Sequence, residues 1–213
     1  MKILNQSLLK LFIRLHNYSY KKITDLVTKI NNGQHPKHSI INYHQFFVDN
    51  VAEDDTVVDL GCGTGANAYD VAKKAQRVIG IDIKQNNIDQ AKQRYQRDNL
   101  SFVVGDATKY NFDNKINKVV LSNVLEHIEG RVSFLKKMHD LSDTILLRVP
   151  MLTRDWLTVY KKEHGYEYRL DPTHYIEYTL SDLKEETSLS GWVIESYSIQ
   201  FGEFWGVLKK AKT

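Results

Sequence analysis

A chain of 213 residues, 42% hydrophobic and 26% charged, can bury one sizeable core but hardly two independent enzyme domains, and its composition is neither disordered nor fibrous. Its single cysteine, Cys62, excludes an intramolecular disulfide and any multi-cysteine zinc site, and fits a reducing, cytoplasmic setting. The net charge of +3 is too small to argue for nucleic acid by itself, yet residues 1–50 carry seven Lys or Arg against two Asp, leaving −2 on the remainder.

Ile3, Leu4, Leu8, Leu11, Phe12 and Leu15 read as one face of an amphipathic helix. Asn5, Gln6, Lys10 and Arg14 interrupt the run, which argues against a signal peptide, and no stretch reaches the ~18 apolar residues of a membrane span. Residues 3–30 predict two helices, Asn31-Asn32-Gly33 a turn, and residues 39–50 another helix. From Thr56 the pattern alternates. Short β-branched runs at 56–60, 77–81, 100–104, 116–122 and 144–149 are separated by helical stretches at 66–75, 85–97 and 131–140, which predicts a parallel sheet covered on both faces. After Pro150 the alternation breaks until a helix at 180–190, which Thr179 or Ser181 can cap. Two strands follow, 192–199 and 204–208. The short Gly202 connection between them excludes a parallel crossover, so the sheet ends in an antiparallel hairpin. The expected organisation is one domain over 1–213: a helical extension 1–50, a ligand-binding half 51–149, an inserted cap 150–178, and a final helix and hairpin 179–213.

The turn Gly61-Cys62-Gly63-Thr64-Gly65 lets backbone approach a ligand and aims helix-terminal N–H groups at an anion. With Ala66 it also matches the dinucleotide fingerprint, so a nicotinamide enzyme has to be weighed. Three aspartates tilt the balance. Asp59, just before the glycines, would repel a pyrophosphate but organise an amino group. Asp82, ending the second strand, is placed for ribose hydroxyls, and Asp106, ending the third, for an exocyclic amine.

In order and spacing, VVDLGCGTG, VIGIDI, FVVGDAT and VVLSNVLEHI resemble the successive motifs of class I S-adenosylmethionine-dependent methyltransferases, over roughly residues 40–210. The resemblance implies a Rossmann-like seven-stranded, mostly parallel sheet of order 3-2-1-4-5-7-6 with strand 7 antiparallel. It implies S-adenosylmethionine as cofactor and S-adenosylhomocysteine as product. Asp59, Gly61, Gly63 and Gly65 would hold the methionine moiety, with Cys62 a small residue in the same tight loop. Asp82 would hold the ribose, Ile83, Asp106 and the adjoining Ala107 the adenine, and Asn123 would lie beside the sulfonium.

Methyl transfer needs alignment and desolvation, and a base only when the nucleophile arrives protonated. His127, leaving the fourth strand at its carboxyl end, is the expected base, with Glu126 and His174 beside it as catalytic candidates. The string Asp171–Thr179 resembles the small-RNA 3′-terminal 2′-O-methyltransferases and, less closely, the ubiquinone-pathway O-methyltransferases. In the RNA group, equivalents of Glu126, His127 and His174 bind a divalent metal. Asn123 stands where a further glutamate would be, so a metal is left open but not predicted. In the cap, Trp156, Tyr160, Tyr166, Tyr168 and Tyr175 could stack on an acceptor, and Arg148, Arg154 and Arg169 could hold phosphate or carboxylate. Gln34 to His38, with Tyr43 and His44, could close over the cofactor. The expected activity is O-methylation of a small-molecule or glycan-like acceptor, with RNA methylation and NAD-dependent oxidoreduction as alternatives.

Overall fold

In a computed structural model, residues 2–33, 35–110 and 116–212 are described, with side chains from Leu4 onward. Two compact units result, Met1–Tyr43 and His44–Thr213. Where two helices were expected over 3–30, one helix, α1 (Lys2–Ile30), runs unbroken, because no Gly or Pro interrupts it. The helix expected over 39–50 is instead two, α2 (Lys37–Ile41) and α3 (Tyr43–Asp49), split at Asn42, whose left-handed backbone (φ 49°) ends the first.

The larger unit holds a seven-stranded sheet of order β3-β2-β1-β4-β5-β7-β6, as expected. Its strands are β1 (Thr56–Leu60), β2 (Arg77–Asp82), β3 (Leu100–Val104), β4 (Lys118–Ser122), β5 (Thr144–Pro150), β6 (Trp192–Gln200) and β7 (Glu203–Lys210). Strands β1 to β5 pair in parallel, whereas β7 runs antiparallel to both β5 and β6. Phe201 (φ 49°) and Gly202 (φ 73°) are the only residues between β6 and β7, and two consecutive left-handed residues are the hairpin turn whose twist matches the strands.

The central strands are apolar at almost every position because helices cover both faces: Val57, Val58, Leu60, Val119, Val120 and Leu121 are wholly buried. Those helices are α4 (Ala66–Val71), α5 (Gln85–Arg94), α6 (Arg131–Leu141) and α8 (Leu180–Leu189), while α7 (Trp156–Glu163) lies within the cap. Thr179 is the residue that caps α8: its Oγ1 accepts from Asp182 N (3.2 Å), and the Asp182 carboxylate accepts from Thr179 N (2.8 Å). Buried Trp192 locks β6 to α6 through Nε1 donating to Leu135 O (2.8 Å). Among the described residues no helix is long and apolar enough to cross a membrane.

Candidate active site

The glycine turn follows β1 at its carboxyl end. Gly61, Gly63 and Gly65 all have positive φ (72°, 54° and 85°), which β-carbon-bearing residues rarely adopt. Added Cβ atoms at Gly61 and Gly65 would come within 2.5 Å of Val124 and 2.6 Å of Phe102, whereas at Gly63 nothing lies within 4 Å. Two of the glycines are therefore dictated by packing, and Gly63 leaves open space for a ligand. Gly61 N and Cys62 N both donate to Ile81 O (2.7 and 2.9 Å), which ties the turn to β2.

Beneath the turn, Asp59 is almost wholly buried and accepts a long bond from Asn67 Nδ2 (3.4 Å) as well as a backbone hydrogen bond from Ala68. Burial, with Asp82 adding repulsion, pushes its carboxyl up to about 7, while the Asn67 oxygen is buried without a hydrogen-bond partner. Asp82 accepts from Gly63 N (3.0 Å), Lys84 N (2.8 Å) and Asn87 Nδ2 (3.1 Å), which orients its carboxylate and leaves part of its capacity for hydroxyls. Ile83 beside it is 66% exposed, an apolar surface left uncovered. Asp106 caps its own turn through Thr108 N (2.9 Å) and Oγ1 (2.7 Å), and these bonds hold its carboxyl below the ordinary value. Ala107 follows it, half-buried against the core.

Beyond β4, Asn123 (φ 55°) turns the chain into a one-turn 3-10 helix, Leu125–His127. Its Nδ2 donates to Glu126 Oε1 (2.9 Å), leaving Oε2 buried without a partner. Burial pushes the Glu126 carboxyl up to about 7. His174 comes from the cap and sets its ring edge-on to His127, centroids 4.6 Å apart. Glu126, His127 and His174 each offer a ligand atom within 4.8 Å of the others, so the structure gathers all three expected catalytic residues into one cluster. A divalent cation with nitrogen and carboxylate preference could be held by this set. His127 and His174, with Arg169, Pro172, Thr173 and Tyr175, line one cleft.

The tautomers follow from hydrogen counting. The one hydroxyl proton of Thr173 goes to Asp171 Oδ1 (2.7 Å), a carboxylate that can only accept, so His127 Nδ1–H donates to Thr173 Oγ1 (2.9 Å) and Nε2 keeps a lone pair. Likewise His174 Nδ1–H donates to Glu177 Oε1 (3.2 Å). Burial and then His174 hold the His127 pKa below the ordinary 6.5.

The arginines expected to hold phosphate or carboxylate depart from expectation. Arg148 pairs with Glu203 (2.5 Å), Arg154 with Glu177, and Arg169 with Glu167 (2.8 Å), so all three are committed within the protein. Several aromatics also serve the cap itself: Tyr160 stacks on His164 (4.0 Å) and meets Trp156 edge-on, and Lys162 lies over Tyr168. His44 is tied by Nδ1 to Asp70 Oδ2 (2.6 Å), and Tyr43 Oη lies 2.8 Å from His38 Nε2. Gln34 lies outside the described residues. Sequence reasoning missed Asn67, Thr173 and Glu177 as site residues. Only the His-x-x-Glu spacing of His174 and Glu177 carried a signal.

Residues 57–143 match the methyltransferase domain family. An uncharacterised protein of Methanocaldococcus jannaschii, MJ1452, is 39% identical over 79 residues, 36% of this chain and 30% of that protein. The 23S rRNA (uracil(1939)-C(5))-methyltransferase RlmD of a Marinomonas species is 31% identical over 105 residues, 47% of this chain and 24% of that protein. The match to these curated relatives thus spans less than a third of their length. Magnesium protoporphyrin IX methyltransferase from Synechocystis PCC 6803, solved with bound SAH, superposes with a TM-score of 0.64 at 21% identity, covering 82% of this chain and 83% of that one, a likeness of fold alone.

Proposed function

From a class I methyltransferase fold that carries a methyltransferase domain at 57–143, we propose that this protein transfers the methyl group of S-adenosylmethionine to a hydroxyl of a small-molecule or glycan-like acceptor. The observation that carries the reading is the convergence of Glu126, His127 and His174 beyond the carboxyl end of β4, with the two histidines lining a cleft they share with cap residues. For the cofactor, Asp59 and the unpartnered Asn67 oxygen suit the ammonium group of its methionine moiety, the open space at Gly63 its close approach, Asp82 its ribose, and Ile83 and Asp106 its adenine. A pyrophosphate would meet the Asp59 carboxylate instead, which disfavours the nicotinamide alternative.

In this reading the cofactor supplies a methyl carbon already activated by its positive sulfur. The chain's own residues hold it, exclude water and place the acceptor oxygen in line. His127 Nε2 takes the acceptor proton, and Thr173 and Asp171 hold the tautomer that leaves Nε2 free to do so. His174, fixed by Glu177, stands beside it.

Calorimetry with S-adenosylmethionine, S-adenosylhomocysteine and NAD tests the reading: tighter binding of NAD would overturn it. A chelator separates two roles for the cluster. Retained transfer in its presence supports acid-base chemistry, whereas loss restored by a divalent ion moves Glu126, His127 and His174 to metal ligands. RNA methylation is the second reading, favoured by the positive charge of residues 1–50 and by relatives such as RlmD. It requires RNA binding that weakens steeply with salt. The arginines in and beside the cap, already paired with carboxylates, do not favour it.

A further inference from the structure

The arginines of the larger unit divide by where they lie. Arg131 pairs with Glu186, Arg148 with Glu203, Arg154 with Glu177 and Arg169 with Glu167, whereas Arg77, Arg94 and Arg97 have no ion pair among the described residues. All three belong to the segment that runs from β2 through α5 to β3. Two of them line adjoining clefts. Arg97, Lys92 and Tyr95 line one of about 450 Å³, Arg77 lines another of about 690 Å³, and Asp98, Leu100 and Ser101 border both. The shared border makes one trough, walled by three exposed cations against a single exposed carboxylate.

The trough is held in shape without spending that charge. The Arg97 guanidinium carbon lies 5.8 Å from the centroid of the Tyr69 ring, a contact that positions a cation and leaves its N–H donors unspent. Tyr95 leans on the same ring, centroids 4.9 Å apart and planes 31° from parallel. Asn99 Nδ2 donates to Ala72 O and Ala75 O (both 2.9 Å), which pins the start of β3 to the turn after α4.

This chemistry selects an occupant. A bilayer would need apolar side chains to enter it, and the lining offers only half-buried Leu100 and buried Phe102. An acidic peptide would answer the cations but leave the Tyr95 ring unused. A single-stranded nucleic acid answers both, with phosphates for the guanidinium and ammonium groups and a base for the ring. The trough opens where Thr56, Arg77 and Leu100 begin their strands, whereas the histidine cluster lies beyond the carboxyl end of β4. Strands of about five residues, or about 17 Å, lie between the two ends.

We propose that this trough anchors a single-stranded nucleic acid, with Arg77, Lys92 and Arg97 on its phosphates and Tyr95 against a base. It is a second surface, at the opposite end of the sheet from the acceptor cleft. The proposal is independent of the acceptor reading and concerns what holds the protein in place, whatever it methylates.

The test is fluorescence anisotropy of the full chain with a labelled single strand of about 12 nucleotides, as RNA and as DNA, in a salt titration. Binding of either supports the proposal, and the tighter of the two names the source. Three neutralised phosphates give a slope of log affinity against log salt of about −2, hence a loss of about tenfold to twentyfold between about 50 and 200 mM. Arg77→Gln with Arg97→Gln in one chain should weaken binding about tenfold or more at low salt and bring the slope to about −0.7. Tyr95→Leu should weaken binding about tenfold with the slope unchanged, which separates stacking from charge. Both arginines are exposed and stand apart from the glycine turn and the histidine cleft, so the unfolding midpoint and calorimetric cofactor affinity should not change. Three results would overturn the proposal: no binding of either strand, binding untouched by the double arginine variant, or polyglutamate of like length bound as tightly as the oligonucleotide.

Discussion

The glycine-turn side and the cap side of the larger unit treat their polar groups in opposite ways. Around the glycine turn, the Asn67 oxygen is buried without a hydrogen-bond partner, burial raises the Asp59 carboxyl, and Gly63 borders open space. In and beside the cap, charge is consumed internally: Arg154 pairs with Glu177 and Arg169 with Glu167 within the cap, and Arg148 of β5 with Glu203 of β7 next to it. The contrast teaches that the first region is built to be completed by a ligand and the second to hold a shape. What the cap offers an acceptor is a cleft edged by two histidines rather than a patch of free cations.

Four substitutions can break or sharpen that contrast. His127→Ala should lower kcat by about 10²- to 10⁴-fold while leaving calorimetric cofactor affinity unchanged, since the ring belongs to the acceptor cleft. Full activity would remove the base assignment. Glu177→Ala would strip the buried partner of both Arg154 and His174, and chemical denaturation should show a loss of about 3 kcal/mol, because a charge left unpaired in the interior costs more than the pair contributed. An unchanged midpoint would mean that the cap is not held together in this way. Asp82→Ala should weaken S-adenosylmethionine about 10- to 100-fold in calorimetry, with kcat at saturation little affected. Thr173→Val should lower kcat about tenfold by releasing the His127 tautomer, with Thr173→Ser restoring it and imidazole nitrogen shifts reporting the change.

Two pH profiles add to these. The rate should rise as pH climbs through the His127 pKa and level off above it, with the midpoint below the ordinary 6.5, because burial and His174 disfavour the imidazolium. Cofactor affinity should fall as pH drops through about 7, where Asp59 takes up a proton and can no longer pair with an ammonium. A flat affinity profile would separate Asp59 from that role.

Much of the scaffold was legible because it rests on local rules. Period-2 and continuous apolar runs marked the strands, the short Gly202 link implied the antiparallel hairpin, and Thr179 announced the start of α8. Over residues 3–30 the periodicity was right and the break was not: without Gly or Pro the helix simply continues. At Asn42 the opposite happened, since an asparagine that tolerates left-handed backbone ended a helix the pattern would have carried on.

What the residues by themselves determined is the strand-helix alternation, the closing hairpin, the glycine turn and the neighbourhood of Asp59, Asp82 and Asp106, set within short strand-loop-helix units, whereas the order 3-2-1-4-5-7-6 followed from the family resemblance. Only the tertiary structure decided which charges are spent and which are available. Arg148 finds Glu203 and Arg154 finds Glu177 across 55 and 23 residues of chain. Such pairings depend on how distant segments fold back on one another, so composition and spacing carry no trace of them.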